Sequence, residues 1–251
     1  MTLSRPMFRS GPLFDEAFVR EHSADMQRAY ELLADERSRE VFLDTVRFKL
    51  SGRLKYLRNS ESGKDEVFEN ILRPGADEQF SDLGAYNGDP IRELLHYTDG
   101  RFASVTALEP DRRSFRKLNE WASANIEGDV TLVQAGAWDR DEIRCFSDQA
   151  GRQSHVVNKG RETQMRALDS VLNGRPCTYL KMDVEGAERE AIAGARQTIE
   201  RERPKLNIAA YHRSEDFFEL PLLIHSLCAD YALYLRHHPY VPAWDTNLYA
   251  R

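Results

Sequence analysis

The sequence predicts an α/β fold, a parallel sheet flanked by helices, behind an N-terminal helical cap. Three observations carry this reading. From about Glu78 onward, short apolar runs alternate with amphipathic stretches, the pattern of βα units that build a parallel sheet. The residues before it show helical periodicity and no strand signal. Between the first strand and its helix lies a glycine-bearing turn, Asp82-Leu83-Gly84-Ala85-Tyr86-Asn87-Gly88, where such sheets bind ligands.

In chain order, Phe14, Phe18, Met26, Tyr30 and Leu33 recur mostly at intervals of three and four, as a buried helical stripe requires. A second helix covers Val41 to Leu50 and stops at Gly52, a residue suited to the left-handed C-terminal position. Residues 59–64 are polar and contain Gly63, so they read as a loop. These segments make residues 1–75 the helical cap region, and residues 76–251 the ligand-binding domain.

Phe80 to Leu83 is the first strand, and Pro90 sits in the first turn of the following helix with Asp89 as its N-cap. Val105 to Leu108 is the second strand, ending in Glu109-Pro110, and its helix runs from Ser114 to Asn125. Val130 to Ala135 is the third strand, Thr178 to Val184 the fourth, and Leu206 to Tyr211 the fifth, after the helix-ending Arg203-Pro204. A helix near Leu222 to Leu227 and strands near Ala232 to Arg236 and Thr246 to Tyr249 complete the pattern. The polar segment Asp139 to Arg166 admits a hairpin over the active site.

Composition narrows the function. The 251 residues are 41% hydrophobic and 30% charged, an ordinary globular profile. A net charge of −6 opposes a nucleic-acid partner, because a phosphate backbone demands clustered cations. The basic run Arg112 to Lys117 reads as the wet face of a helix. No window offers the ~18 consecutive apolar residues of a membrane span, and the first residues lack the apolar core of a secretory signal. Cys145, Cys177 and Cys228 are scattered and lack metal-ligand spacing, as suits a reducing compartment. The expectation is a cytoplasmic protein; a homo-oligomer remains open.

The glycine turn carries the chemistry. Gly84 permits a sharp turn and Gly88 a close approach of backbone to ligand, while the helix beyond presents N–H groups to an anionic group. Glu109, at the end of the second strand, stands where an acid grips ribose hydroxyls. A dinucleotide wants a glycine where this chain has Tyr86, and Asp82 would repel a pyrophosphate but hold an ammonium. A ligand with an amino-acid end and a sulfonium fits better, which points to S-adenosylmethionine.

Taken together, Asp82-Leu83-Gly84-Ala85-x-x-Gly88, Glu109-Pro110, Ala167-Leu168-Asp169 and Leu180-Lys181-Met182-Asp183-Val184-Glu185-Gly186-Ala187-Glu188 resemble the FkbM methyltransferases in order and spacing. The segment Asp35-Glu36-Arg37-Ser38-Arg39 is similar to the N-terminal part of some members. The resemblance implies a class I methyltransferase (Rossmann-like) fold, with a seven-stranded, mostly parallel sheet and one antiparallel edge strand. It also implies O-methylation of a sugar, glycan or natural-product acceptor. By the same resemblance Asp82, Gly84, Ala85, Tyr86 and Gly88 would hold the methionine part, Glu109-Pro110 the ribose, and Ala137-Trp138 would lie near the adenine. Two departures stand out: Tyr86 in place of a second glycine, and Ala209-Ala210 ahead of Tyr211-His212.

Methyl transfer to a hydroxyl needs alignment and a proton acceptor or a metal ion. Asp183, Glu185 and His212 end the fourth and fifth strands on one rim and are the catalytic candidates. Glu185 and Glu188 equally suit the first turn of the next helix as charged caps. Lys181 reads either as a buried partner of Asp183 or as an outward side chain. Asp183 with a second rim carboxylate could hold Mg²⁺, but no dense Asp cluster declares a metal site and none is assigned. His237-His238 lacks ligand spacing, and His155 is a candidate acceptor contact. Tyr231, Tyr234, Tyr240 and Trp244 suit either a sugar face or the core. Competing readings of the same turn are an NAD-linked or nucleotide-sugar oxidoreductase, and a non-catalytic scaffold.

Overall fold

In a computed structural model of the chain, residues 13–146, 161–239 and 245–251 are described. The N-terminal part is helical: α1 (Glu16–Glu21), α2 (Ser23–Leu32), α3 (Glu36–Ser51), α4 (Leu54–Ser60) and α5 (Lys64–Glu66), which continues as a π-helical turn over Val67–Leu72. Asp35 caps α3 by accepting the N–H of Ser38 at 2.8 Å, and Gly52 ends it at φ 66, the left-handed stop read from the sequence. The predicted loop over 59–64 is shorter than expected, because α4 extends through Ser60.

The strands follow as β1 (Gln79–Leu83), β2 (Ser104–Leu108), β3 (Asp129–Val133), β4 (Gly136–Ala137), β5 (Glu142–Phe146), β6 (Arg161–Arg166), β7 (Tyr179–Met182), β8 (Lys205–Ala209), β9 (Leu233–His237) and β10 (Thr246–Ala250). Between them lie α6 (Asp89–Tyr97), α7 (Arg112–Asn125), α8 (Leu168–Leu172), α9 (Glu188–Gly194), α10 (Arg196–Glu202) and α11 (Asp216–Leu227). Seven strands form the main sheet in the order β3-β2-β1-β7-β8-β10-β9. Only β10 runs antiparallel to its neighbours, so the mostly parallel seven-stranded sheet is as the family resemblance implies. It occupies the second position from the edge; the edge strand is β9.

Strand order reverses at β1, whose neighbours are β2 on one side and β7 on the other. Open α/β sheets bind ligands outside the carboxyl ends of the strands at such a point, and the glycine turn sits there. Two apolar clusters cover the sheet. One joins Phe18, Met26, Leu33, Val41 and Phe42 of the N-terminal helices to Phe217, Phe218 and the strands. The other packs the π-helical turn and α6 against the opposite face.

A second sheet, β4-β6-β5, includes the antiparallel β5–β6 pair. This pair lies within the segment expected to hold a hairpin; its connection, with His155, lies outside the described residues, as do Tyr240 and Trp244. Asp89, expected as an N-cap, is instead the first residue of α6 and pairs with Arg92 at 2.9 Å. The cap is Gly88 at φ 94.

Candidate active site

The glycine turn is strapped to the end of β2. Gly84 and Ala85 both donate their N–H to the Leu108 carbonyl at 3.0 Å, and Gly88 donates to Ala85 at 2.8 Å. Gly84 (φ 89), Tyr86 (φ 50) and Gly88 (φ 94) all take left-handed backbone. Tyr86 thus holds a conformation that disfavours bulky side chains, at the position where dinucleotide motifs carry glycine. A side chain on Gly88 would meet the Trp121 ring at 2.9 Å, which explains the second glycine.

Glu109 braces this loop from the end of β2. Its Oε2 accepts the Tyr86 N–H at 2.7 Å and its Oε1 accepts the Asp111 N–H at 2.8 Å. Burial pushes the carboxyl up to about 7, against the pull of those two N–H donors. Pro110 follows, and Asp111 caps α7 through the N–H groups of Arg113 and Ser114.

Asp82 lies one layer below. It is fully buried at the end of β1, beside Lys181 of β7 at 3.5 Å, its direct neighbour in the strand register. Lys181 therefore pairs with Asp82 rather than with Asp183. Neither Asp82 oxygen finds a hydrogen-bond partner among the described residues. Burial raises its carboxyl to about 6, with Lys181 opposing. Asp82 is shielded from solvent, so the charge of its carboxylate reaches the loop only through its field.

The second half of the site is the rim at β7 and β8. Asp183 follows β7, and Glu185 (φ 56) and Gly186 (φ 90) turn the chain into α9. Tyr211 donates its hydroxyl to both Asp183 oxygens at 3.1 Å. His212 sits between carboxylates: Nε2 is 3.5 Å from Asp183 and 3.5 Å from Glu185, while Nδ1 is 2.9 Å from Glu188. Burial would lower its pKa, but Glu188 first, then Asp183 and Glu185, raise it to about 9. Those three acids favour the charged form of the ring.

Glu188 is more than the helix cap the sequence suggests. It is 1% exposed, and its Oε1 accepts the N–H groups of Val184 (3.1 Å) and Gly186 (3.3 Å), fixing the turn that carries Asp183 and Glu185. The structure thus brings the three catalytic candidates together and adds Tyr211, Glu188 and the buried Asp216, raised to about 6 by burial and then by Glu188. Ligand atoms of Asp183, Glu188 and His212 lie within 4.8 Å of one another. The sequence does not display this grouping, because His212 stands 24 or more residues beyond the other two.

Other expectations resolve structurally. Asp169 accepts the N–H groups of Gln197 and Thr198 at 2.9 Å and so starts α10. His237 and His238 are buried against Thr246, Ser62 and Tyr249 (His237 lowered to about 4 by burial), away from the rim. Ala137 ends β4 of the small sheet, and Trp138 follows it, donating its N–H to the Arg166 carbonyl at 2.9 Å. The Trp138 ring packs on Met165 and Ala187, with the Arg144 guanidinium 4.2 Å from its centre.

A glycine cradle at the switch point, an acid at the end of β2 and a polar rim at β7–β8 together define an S-adenosylmethionine-binding α/β domain of the class I methyltransferase type. The family model "Methyltransferase FkbM domain" matches residues 82–242. The chain belongs to the FkbM methyltransferase family. It is similar to the crystal structure of the methyltransferase FkbM from Methylobacillus flagellatus KT, at 28% identity and TM-score 0.79, over 94% of this chain and 60% of that one. The chain thus spans about 60% of that relative's length. Weaker likenesses are to precorrin-6y C5,15-methyltransferase from Geobacter metallireducens GS-15 (12% identity, TM-score 0.46, 73% of this chain and 83% of that one) and to Aeropyrum pernix fibrillarin with natively bound S-adenosyl-L-methionine (10%, 0.45, 75% and 73%). Comparison with curated proteins finds no match. No helix among the described residues is long and apolar enough to cross a membrane.

The Glu109 carboxylate yields a prediction. An ionised carboxylate accepts ribose hydroxyls better than a neutral one, and this one titrates at about 7. Affinity for S-adenosylhomocysteine should rise with pH through about 7 and then level off, with proton release on binding below that pH. Glu109→Ala should weaken binding roughly 30-fold, about the ~2 kcal/mol of a charge-assisted hydrogen bond. Calorimetry across pH checks both; a flat profile in the native chain would remove Glu109 from the site.

Proposed function

We propose that this chain transfers the methyl group of S-adenosylmethionine to a hydroxyl oxygen of a sugar, glycan or natural-product acceptor. The observation that carries this reading is the adjacency of the two half-sites. The loop is closed on β7 so tightly that a side chain on Gly84 would fall 1.9 Å from the Asp183 carbonyl oxygen. The cofactor cradle and the Asp183–Glu185–His212 rim are therefore neighbours across one strand pair.

Bound in the cradle, the cofactor supplies an electrophilic methyl on a sulfonium. Gly84, Ala85, Tyr86 and Gly88 seat its amino-acid end, Asp82 adds a negative field beneath it, and Glu109 takes the ribose hydroxyls. Ala137 and Trp138 border the adenine side. The rim receives the acceptor hydroxyl. As the O–CH₃ bond forms and the C–S bond breaks, with its electron pair left on sulfur, the hydroxyl proton passes to Asp183 or Glu185. The positive His212 ring offsets the charge of these acids and orients them. Free Cys145, Cys177 and Cys228 fit a cytoplasmic setting.

Titration of the full chain with S-adenosylhomocysteine, and with NAD⁺ as comparison, tests the cofactor. Micromolar binding of the first alone is expected. Binding of NAD⁺ alone would sink the methyltransferase reading. Once the cofactor is established, transfer of a radiolabelled methyl group across panels of sugars, glycan ends and polyketide alcohols tests the acceptor class; product that carries the label on nitrogen or carbon would exclude O-methylation.

A further inference from the structure

Three carboxylates crowd the His212 ring. Asp183, Glu185 and Glu188 all approach one imidazole, at 3.5, 3.5 and 2.9 Å. Lys181, buried on the sheet, lies 3.5 Å from Asp82 and also attracts Asp183 through space. The guanidinium groups nearby face other acids: Arg189 faces Glu215 and Glu219, and Arg213 faces Glu190.

A second observation points into the cluster. Glu188 is 1% exposed, yet its Oε2 has no hydrogen-bond partner among the described residues, while its Oε1 lies 2.9 Å from Nδ1 of His212. An unpaired polar atom is expensive at such depth, so this oxygen, among the ligand atoms of the cluster, marks a place for a ligand that accepts a lone pair. Glu188 cannot swing away to find another partner, because its Oε1 is tied to the N–H groups of Val184 and Gly186.

We propose that Asp183, Glu188 and His212 bind a divalent cation at this rim, with Glu185 at its open side. Two carboxylates and an imidazole, which releases its proton as the ion binds, are a donor set for Mn²⁺, Zn²⁺ or Mg²⁺. Their ligand atoms lie within 4.8 Å of one another, so one ion reaches all three with modest side-chain adjustment. Tyr211 holds both oxygens of Asp183, the kind of outer hydrogen bond that orients a metal ligand. Asp183 and Glu185 keep 34% and 31% of their side-chain surface, leaving room for water and an acceptor oxygen. The role of the ion rests on the methyl-transfer reading: it would coordinate the acceptor hydroxyl, lower its pKa, and leave Glu185 to receive the proton.

The probe is Mn²⁺ alone. Full-length chain stripped with a chelator is titrated with Mn²⁺ while the free-ion electron paramagnetic resonance signal is followed, and bound S-adenosylhomocysteine is measured in parallel by calorimetry. One Mn²⁺ per chain is expected at micromolar affinity, weakened at least about tenfold in Asp183→Asn and in His212→Ala; both positions are partly open to solvent or at a loop, so folding is verified by thermal melts. Mn²⁺ that binds the variants as it binds the native chain, or no saturable site with either Mn²⁺ or Zn²⁺, overturns the proposal. If S-adenosylhomocysteine still binds in that case, the methyltransferase reading survives; a chain that binds Mn²⁺ but no S-adenosylhomocysteine has the metal site without that function.

Discussion

Gly84→Ala is expected to abolish measurable binding of S-adenosylhomocysteine and to lower thermal stability by about 10 °C. Two penalties meet at this residue. Its φ of 89 lies in the left-handed region, where a β-carbon costs about 1–2 kcal/mol. The added methyl would also fall 1.9 Å from the Asp183 carbonyl oxygen and 2.9 Å from its carbon. Both are backbone atoms of the neighbouring strand end and cannot rotate away. Relief requires β1 and β7 to part where Asp183 donates its N–H to Leu83 at 2.9 Å, so overpacking adds about 1–3 kcal/mol. In a chain of this size each kcal/mol shifts Tm by roughly 2–4 °C. Differential scanning calorimetry and ligand titration read the two effects together. A stable variant that still binds the cofactor product would mean that the loop does not close on β7 as described.

The same residue shows why much of the fold was legible in the sequence. A glycine turn between an apolar run and an amphipathic stretch is a local signal, and so are the stop at Gly52 and the acid at Glu109. The strands of the main sheet fall within one or two residues of their predicted ends for the same reason: each is a short apolar run bounded by turn residues. Position on the rim was readable too, because Asp183 and His212 each stand just past a strand end.

What escaped the sequence is whatever depends on partners from distant elements. Glu188 looks like any acidic first-turn residue until His212, 24 positions on, arrives from β8. Lys181 is ambiguous until the register sets it beside Asp82. The small sheet escaped because β4 has two residues and β5 alternates charged and apolar ones, so neither offers an apolar run. The run Asp35 to Arg39 stood out only by family likeness, and its physical reason lies 198 or more positions further along the chain, at Arg236.

Arg236→Met is expected to destabilise the chain by about 2–4 kcal/mol while leaving its affinity for S-adenosylhomocysteine within about twofold. Arg236 sits in the edge strand β9 and is 2% exposed, the largest fully buried side chain described. Its guanidinium is shared between two carboxylates of the N-terminal helices: Nη2 meets Asp35 at 2.6 Å, and Nε meets Glu66 at 3.0 Å. Nη1 also donates to Ser38 at 2.8 Å. Breaking a buried pair from one side commonly costs about 3–5 kcal/mol, because the other charge is stranded. The lower figure applies here, since Asp35 and Glu66 keep 34% and 41% exposure and can turn to water. Methionine fills most of the volume, so a cavity adds little. The Leu235 N–H donates to Ser38 Oγ at 3.0 Å, so α3 keeps one hydrogen bond to β9. Adding Asp35→Asn and Glu66→Gln to Arg236→Met should recover part of the loss, since the stranded charges are then removed. Chemical denaturation of the single and triple variants separates the two outcomes. No recovery in the triple variant would mean that packing of α3 on β9, rather than charge pairing, holds the helices to the sheet.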